Sequence, residues 1–132
     1  MQIKKSNVNE IKYIHKKLQE YNSKYITDCE DISYYIEDEK ENLIAGIVAS
    51  RDLECITIDY LFVDENYRKN KYGSILLEYL EKEAKEKNVR RIVLSTFSFQ
   101  APEFYKNHGY EIFGIIKPCL KNYSEYYFKK EL

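Results

Sequence analysis

Glycine and proline are scarce in this chain of 132 residues, at four and two. No stretch is built from them, so no flexible linker or low-complexity spacer divides the sequence. Cysteine is too sparse for a disulfide scaffold. Cys29, Cys55 and Cys119 are odd in number, widely spaced, and lack a CxxC pair or a clustered His, which also argues against a structural zinc site. Neither sign of charge dominates: 21 Lys and Arg face 22 Asp and Glu, for a net charge of −1. A nucleic-acid binder would show a basic surplus. The longest apolar run, Leu43 to Ala49, is seven residues long, well short of the ~20 that cross a bilayer. Lys4 and Lys5 lead into polar residues, not into the apolar core of a secretory signal. These absences predict one domain over residues 1–132 in a reduced, cytoplasmic setting, with no nucleic-acid, membrane or metal partner.

What is present suffices for one packed core. Ile, Leu, Val and Phe number 36 of 132 residues, above the ~20% below which chains tend to stay disordered. Ser6 or Asn7 precedes Val8, Ile11, Ile14, Leu18 and Tyr21, and this three-and-four spacing predicts a capped amphipathic helix over 7–21. Residues 22–31 show no clear period and read as a loop. From 32 to 63 the pattern becomes strand-like: Ile32–Ile36, then 43–50, then an alternating run over 54–63. In that run Ile56, Ile58, Tyr60 and Phe62 share one face. Short reversals at 38–42 and at Arg51-Asp52 make the block an antiparallel meander.

The polar stretch Asp64–Lys71 then opens into a helix through Tyr72, Leu76, Tyr79, Leu80 and Ala84. Residues 91–96 form a buried strand, and strand, loop, helix and strand over 54–96 fit a parallel βαβ unit. Pro102 starts a short helix that Gly109 stops, and 110–116 and 123–129 read as closing strands. The fold class is α/β.

Two segments carry possible chemistry. Arg68, Lys69 and Lys71 precede a helix start whose free N–H groups and positive dipole end suit a phosphate or pyrophosphate, and Gly73 permits close backbone approach. The plain alternative is a solvated helix entry. The second segment is Pro102–Tyr110. Ligands in such sheets lie beyond the carboxyl ends of the strands, so Tyr105 and the 68–74 loop meet at one crevice. The plain alternative for Tyr105 is packing with a wet hydroxyl.

Val63–Leu77, with Arg68 at the first and Gly73 at the last position of the pattern R/Q-x-x-G-x-G/A, resembles the loop signature of the GNAT superfamily of acyl-CoA-dependent N-acyltransferases. Phe104-Tyr105-Lys106-Asn107-His108-Gly109-Tyr110 is similar to that family's second signature. The resemblance spans essentially the whole chain. It departs at Lys71, which stands at the first motif glycine, and at Ser98, where many members carry Asn.

The resemblance implies a mixed sheet with an antiparallel N-terminal meander, a central parallel pair that splays, and flanking helices. It implies acetyl-CoA as cosubstrate and no metal. The pantetheine arm would pair with Leu61, Phe62 and Val63, with the Leu61 N–H polarising the thioester carbonyl. Backbone N–H groups of Lys69, Asn70, Lys71, Tyr72, Gly73 and Ser74, with the Arg68 side chain, would hold the pyrophosphate, and Ser98 would touch the cofactor arm. Tyr105 matches the family's general acid.

The acceptor would be a primary amine attacking directly, without an acyl-enzyme. Asp59 sits in an apolar run, where burial would raise its pKa, and it can serve as base, as amine-binding group or as a structural hydrogen-bond partner. Glu54 and Glu111 are further carboxylates. The first helix and loop 22–31 would wall the acceptor side. The alternative function is a non-catalytic acyl-CoA-binding regulatory module.

Overall fold

The computed structural model describes all residues from Met1 to Leu132. Helix α1 runs over Val8–Asn22, and the Asn7 side chain accepts hydrogen bonds from the amides of Asn9 and Glu10. Strands β1 (Cys29–Asp31) and β2 (Tyr34–Glu37) follow, then β3 (Leu43–Asp52) and β4 (Cys55–Val63). A 3-10 turn at Glu65–Asn70 leads to α2 (Tyr72–Glu86), β5 (Arg91–Phe97), α3 (Pro102–Asn107), β6 (Glu111–Leu120) and β7 (Tyr123–Glu131).

The strands form one seven-stranded sheet in the order β1-β3-β4-β5-β7-β6, with β2 also on β3. Only β4 and β5 run parallel, as the βαβ reading requires. The expected meander is present, with two differences. Residues 29–31, read as loop, pair antiparallel with Ser50–Asp52. In consequence β3 continues through Arg51 and Asp52, and the chain reverses at Leu53-Glu54. The Arg51 guanidinium fixes this edge. It donates to Asp28 and Glu30, both at 3.0 Å, and to the Leu53 carbonyl at 2.8 Å.

One face of the sheet is closed by α2 and α3. Leu76, Leu77, Leu80 and Ala84 of α2 pack with Ala45, Ile47 and Ala49 of β3, Ile56 and Ile58 of β4, and Phe128 of β7. Burying one such large apolar side chain is worth about 1.5–3 kcal/mol, so this layer is the main source of stability. A polar group is built into it: Glu81 accepts from the Tyr110 hydroxyl at 3.1 Å and from the Lys130 ammonium at 3.1 Å.

The expected alternation along β4 breaks at a bulge. Ile58 pairs with Ala49 and Tyr60 with Val48, leaving Asp59 as the extra residue. An inserted residue reverses the facing of all that follow. Ile56 and Ile58 therefore face the closed side, but beyond the bulge Leu61 and Val63 do, while Tyr60 and Phe62 are exposed. Ile56, Ile58, Tyr60 and Phe62 thus do not share a face.

The other face of the sheet is open, and α1 does not cover it. No α1 residue is buried, and α1 makes no extensive contact with another element.

Candidate active site

The parallel ladder between β4 and β5 is short. It joins Cys55 to Arg91, Ile56 to Ile92 and Thr57 to Val93, then ends. Beyond the Asp59 bulge the two strands part, and a cleft of about 210 Å³ opens between them. Ile58–Phe62 line one side, and Leu94, Ser95, Thr96, Gln100, Ala101 and Tyr105 the other. A second hollow of about 240 Å³ lies on the open face and shares Ile58, Asp59, Leu94 and Ser95 with the first. The splay is thus reached from both faces of the sheet, with Asp59 at the junction.

The parting leaves backbone groups of β4 without strand partners. The Asp64 amide donates to the Ile44 carbonyl at 2.7 Å, which turns position 64 toward β3. Alternation along the strand then turns Leu61 and Val63 toward the parted side. Arg68 supports that direction, because its Nε donates to the Val63 carbonyl at 3.3 Å. The Arg68 side chain therefore folds back on the strand end.

The basic loop is wound into the 3-10 turn, capped by Asp64, whose side chain accepts from the Asn66 amide. Tyr67 ties it to the β2–β3 turn through a 3.2 Å hydrogen bond to Asp38, and Asn70 donates to the Tyr67 carbonyl at 3.4 Å. Lys71 takes a left-handed conformation, φ 60° and ψ 24°, the region glycine adopts at no steric cost. Its side chain is exposed, so the substitution at the motif glycine is borne by backbone strain. No side chain caps α2, and the Ile75 amide makes the bond to the Lys71 carbonyl. The amides of Tyr72, Gly73 and Ser74 thus form an uncapped first turn, a ready anion site. A Cβ on Gly73 would point at Phe104 and Val63, 3.5 and 3.6 Å away. A side chain at Gly73 would therefore lie in ordinary contact with α3 and the end of β4.

Tyr105 is 6% exposed. Its ring is held by Phe104, Tyr110 and Phe128, with centroids 5.2, 5.8 and 5.8 Å away. Burial alone pushes its phenol up to about 12, so it keeps its proton at neutral pH. The plain alternative for this residue, a ring packed in the core, describes its body, but it also lines the cleft. Asp59 is exposed, contrary to the burial expected from its apolar neighbours, because the bulge turns it out of the core. The Ser98 hydroxyl accepts from the Ser124 amide at 3.1 Å, and the Ser98 amide donates to the Ser124 carbonyl at 2.8 Å. Ser98 pins the end of β5 to β7. Neither Glu54 nor Glu111 lines the cleft, and no cysteine does.

Thr96 and Gln100 were not legible as site residues. The Gln100 side-chain carbonyl accepts from the Phe97 amide at 2.8 Å and from the Thr96 hydroxyl at 3.3 Å. This shapes the turn that delivers α3. A Thr-x-x-x-Gln spacing has no sequence signal of its own. No group of three or more His, Cys, Asp or Glu residues is placed to hold a metal.

The family model of the acetyltransferase (GNAT) family matches residues 6–110. The chain belongs to the GNAT acetyltransferase family. It is also similar to a solved acetyltransferase from Bacillus cereus ATCC 14579, with 38% identity, a TM-score of 0.84, and coverage of 100% of this chain and 98% of that one. Two more distant structures share the fold. One is a candidate streptothricin acetyltransferase from Bacillus anthracis str. Ames, solved with acetyl coenzyme A (24% identity, TM-score 0.69, 83% of this chain and 67% of that one). The other is the ribosomal-protein-S18-alanine N-acetyltransferase of Escherichia coli (17% identity, TM-score 0.69, 87% and 75%). Comparison with curated protein sequences gave no match. The expected GNAT architecture, with a mixed sheet and a splayed central pair, is present, with α2 and α3 on one face of the sheet. No helix of this GNAT protein is long and apolar enough to cross a membrane.

Proposed function

We propose that this GNAT protein transfers the acetyl group of acetyl-CoA to a primary amine by direct attack in a ternary complex. The observation that carries the reading is the edge of β4 around Leu61, which has no strand partner and lies across the cleft from the buried Tyr105. An extended pantetheine arm can pair with that edge as a missing strand would. The uncapped amides of Tyr72, Gly73 and Ser74, with Lys69, Asn70 and Lys71 around them, suit the pyrophosphate. Arg68 reaches the same corner once it releases the Val63 carbonyl.

The chemistry needs three proton and charge events. The amine must be neutral, so an ammonium gives up a proton to Asp59, directly or through water. Its nitrogen then forms a bond to the acyl carbon while the oxygen gathers charge, which the Leu61 N–H stabilises. The C–S bond breaks, the departing thiolate takes the proton of Tyr105, and the second proton of the acylated nitrogen leaves through water to restore the phenol and a neutral amide. A phenol pushed up to about 12 is a weak acid in the ground state. It can protonate only a strongly basic sulfur nearby, which ties proton release to bond cleavage.

Acetyl-CoA incubated with a panel of primary amines, with free thiol as readout, tests the assignment. Amine-dependent thiol release is expected. Thiol release that no amine accelerates would remove it.

A further inference from the structure

Helix α1 has no reason to be a helix on its own. Fifteen residues is about the length at which an isolated helix is marginal in water, and this one buries none of its residues. Its apolar stripe is nonetheless well formed. Val8, Ile11, Ile14, Leu18, Tyr21 and Tyr25 lie at helical spacing and are each 56–68% exposed. The link to β1 is not a swinging tether. Ser23 donates to the Gln19 carbonyl at 2.9 Å, and Tyr25 and Ile26 donate to the Asn22 carbonyl at 2.9 and 2.8 Å. The arm is held away from the body in an ordered turn.

The same chain carries a second uncovered surface. On the open face of the sheet Tyr35 pairs with Gly46, Phe62 with Gly46 and Tyr60 with Val48. Tyr35, Val48, Tyr60 and Phe62 are 42–71% exposed, with Phe113 at 55% further along. The N-terminal segment and the rest of the chain also differ in net charge. Residues 1–24 hold six lysines and two glutamates, whereas the other 108 residues hold 15 basic and 20 acidic side chains. Eleven large apolar side chains at roughly 100 Å² each give one copy about 1,000 Å² to bury, against the ~800 Å² per partner of a stable interface.

We infer that two copies of this chain exchange their α1 arms, each laying its apolar stripe on the open sheet face of the other. One twofold axis then covers both surfaces of both copies, as an isologous dimer requires. The dimer stands independently of the acetyl-transfer reading. One consequence does rest on that reading: the partner's arm closes the hollow beside Asp59 and supplies the acceptor-side wall that α1 does not provide for its own body.

Sedimentation velocity of the full chain at micromolar concentration is expected to give a mass near twice 15.9 kDa. Ile14→Asp, on the arm, and Val48→Asp, on the sheet face, should each give a monomer. Their mixture should recover a heterodimer through the one intact arm and the one intact face. Near-ultraviolet circular dichroism of the tyrosines in the closed layer shows that each variant is folded, and Phe113→Asp replaces Val48→Asp if that variant is not. A monomeric wild type would overturn the inference. So would a dimer that survives both sheet-face substitutions, which would mean that arm packs on arm, or a mixture that stays monomeric. None of these readouts requires coenzyme, so failure of the dimer and failure of acetyl transfer are separable.

Discussion

The two faces of the sheet solve the same packing problem in different ways. On the closed face every apolar side chain meets another from its own chain, and Leu77, Leu80, Ile56, Ile92 and Phe128 are almost fully buried. On the open face Val48, Tyr60, Phe62 and Phe113 are uncovered, and α1 buries none of its residues. The cleft lies where the faces meet, at the bulge that swaps their sides. One face therefore builds the rigid wall that holds Tyr105, and the other leaves the hollow beside Asp59 open. Amphipathicity shows that an element is to be covered, but not whether by its own chain.

Substitutions on each side can sharpen or break this contrast. The largest effect is expected at the rigid wall. Tyr105→Phe keeps the ring packing and removes the proton donor, so turnover should fall by ~10²–10⁴-fold with acetyl-CoA affinity unchanged by calorimetry. An equal loss of affinity would make Tyr105 a binding residue only. Leu80→Ala on the closed face should cost about 2–5 kcal/mol in urea unfolding, whereas Leu18→Ala in α1 should weaken association and leave the monomer's own stability almost unchanged. Similar losses at both positions would mean that α1 packs on its own body.

The closed face should also set the alkaline limit. Tyr105 and Tyr110 are both held above the ordinary phenol range by burial, Tyr105 to about 12. Above pH ~10 the unfolded chain releases these protons and the folded one keeps them, so stability falls as pH rises from the unfolded toward the folded value. Tyr105 alone accounts for about 3 kcal/mol of that loss. Exposed tyrosines such as Tyr35 and Tyr60 should ionise first with the fold intact, and the last rise in tyrosinate absorbance should coincide with unfolding. Ionisation of all fourteen tyrosines in the folded protein would mean that these rings are solvated. The smallest effect is expected at Lys71→Gly, which trades left-handed strain of about 1–2 kcal/mol against the greater freedom of glycine when unfolded. A gain in stability of under about 1 kcal/mol is expected by thermal melting, and a loss would show that the Lys71 side chain is itself anchored.

How much of this was legible in sequence follows the same division. The meander, the βαβ unit and the Tyr105 segment were readable because Ile56, Ile58, Leu76 and Leu80 obey the periods of elements buried by neighbours in their own chain. The bulge was not, since Asp59 interrupts an alternation that otherwise looks regular and no glycine marks the place. Strand β1 was hidden because Cys29, Glu30 and Asp31 are polar. That strand is held by pairing with Ser50–Asp52 and by the Arg51 bridge to Asp28 and Glu30, not by an apolar face. At the candidate site, Arg68 and Ser98 were recognisable by position, but their present partners, the Val63 carbonyl and the Ser124 amide, lie across strands that spacing alone does not bring together. The exposure of α1 was unreadable for the reason given above: periodicity names the buried face and not its partner.

The central claim is that the parted edge of β4 and the first turn of α2 receive acetyl-CoA. Amide hydrogen exchange, followed residue by residue with and without saturating acetyl-CoA, tests it most directly. Slowed exchange is expected at Leu61 and Val63 and at Tyr72, Gly73 and Ser74, with little change along α1. Unchanged exchange at both places, or protection confined to another part of the sheet, would contradict it.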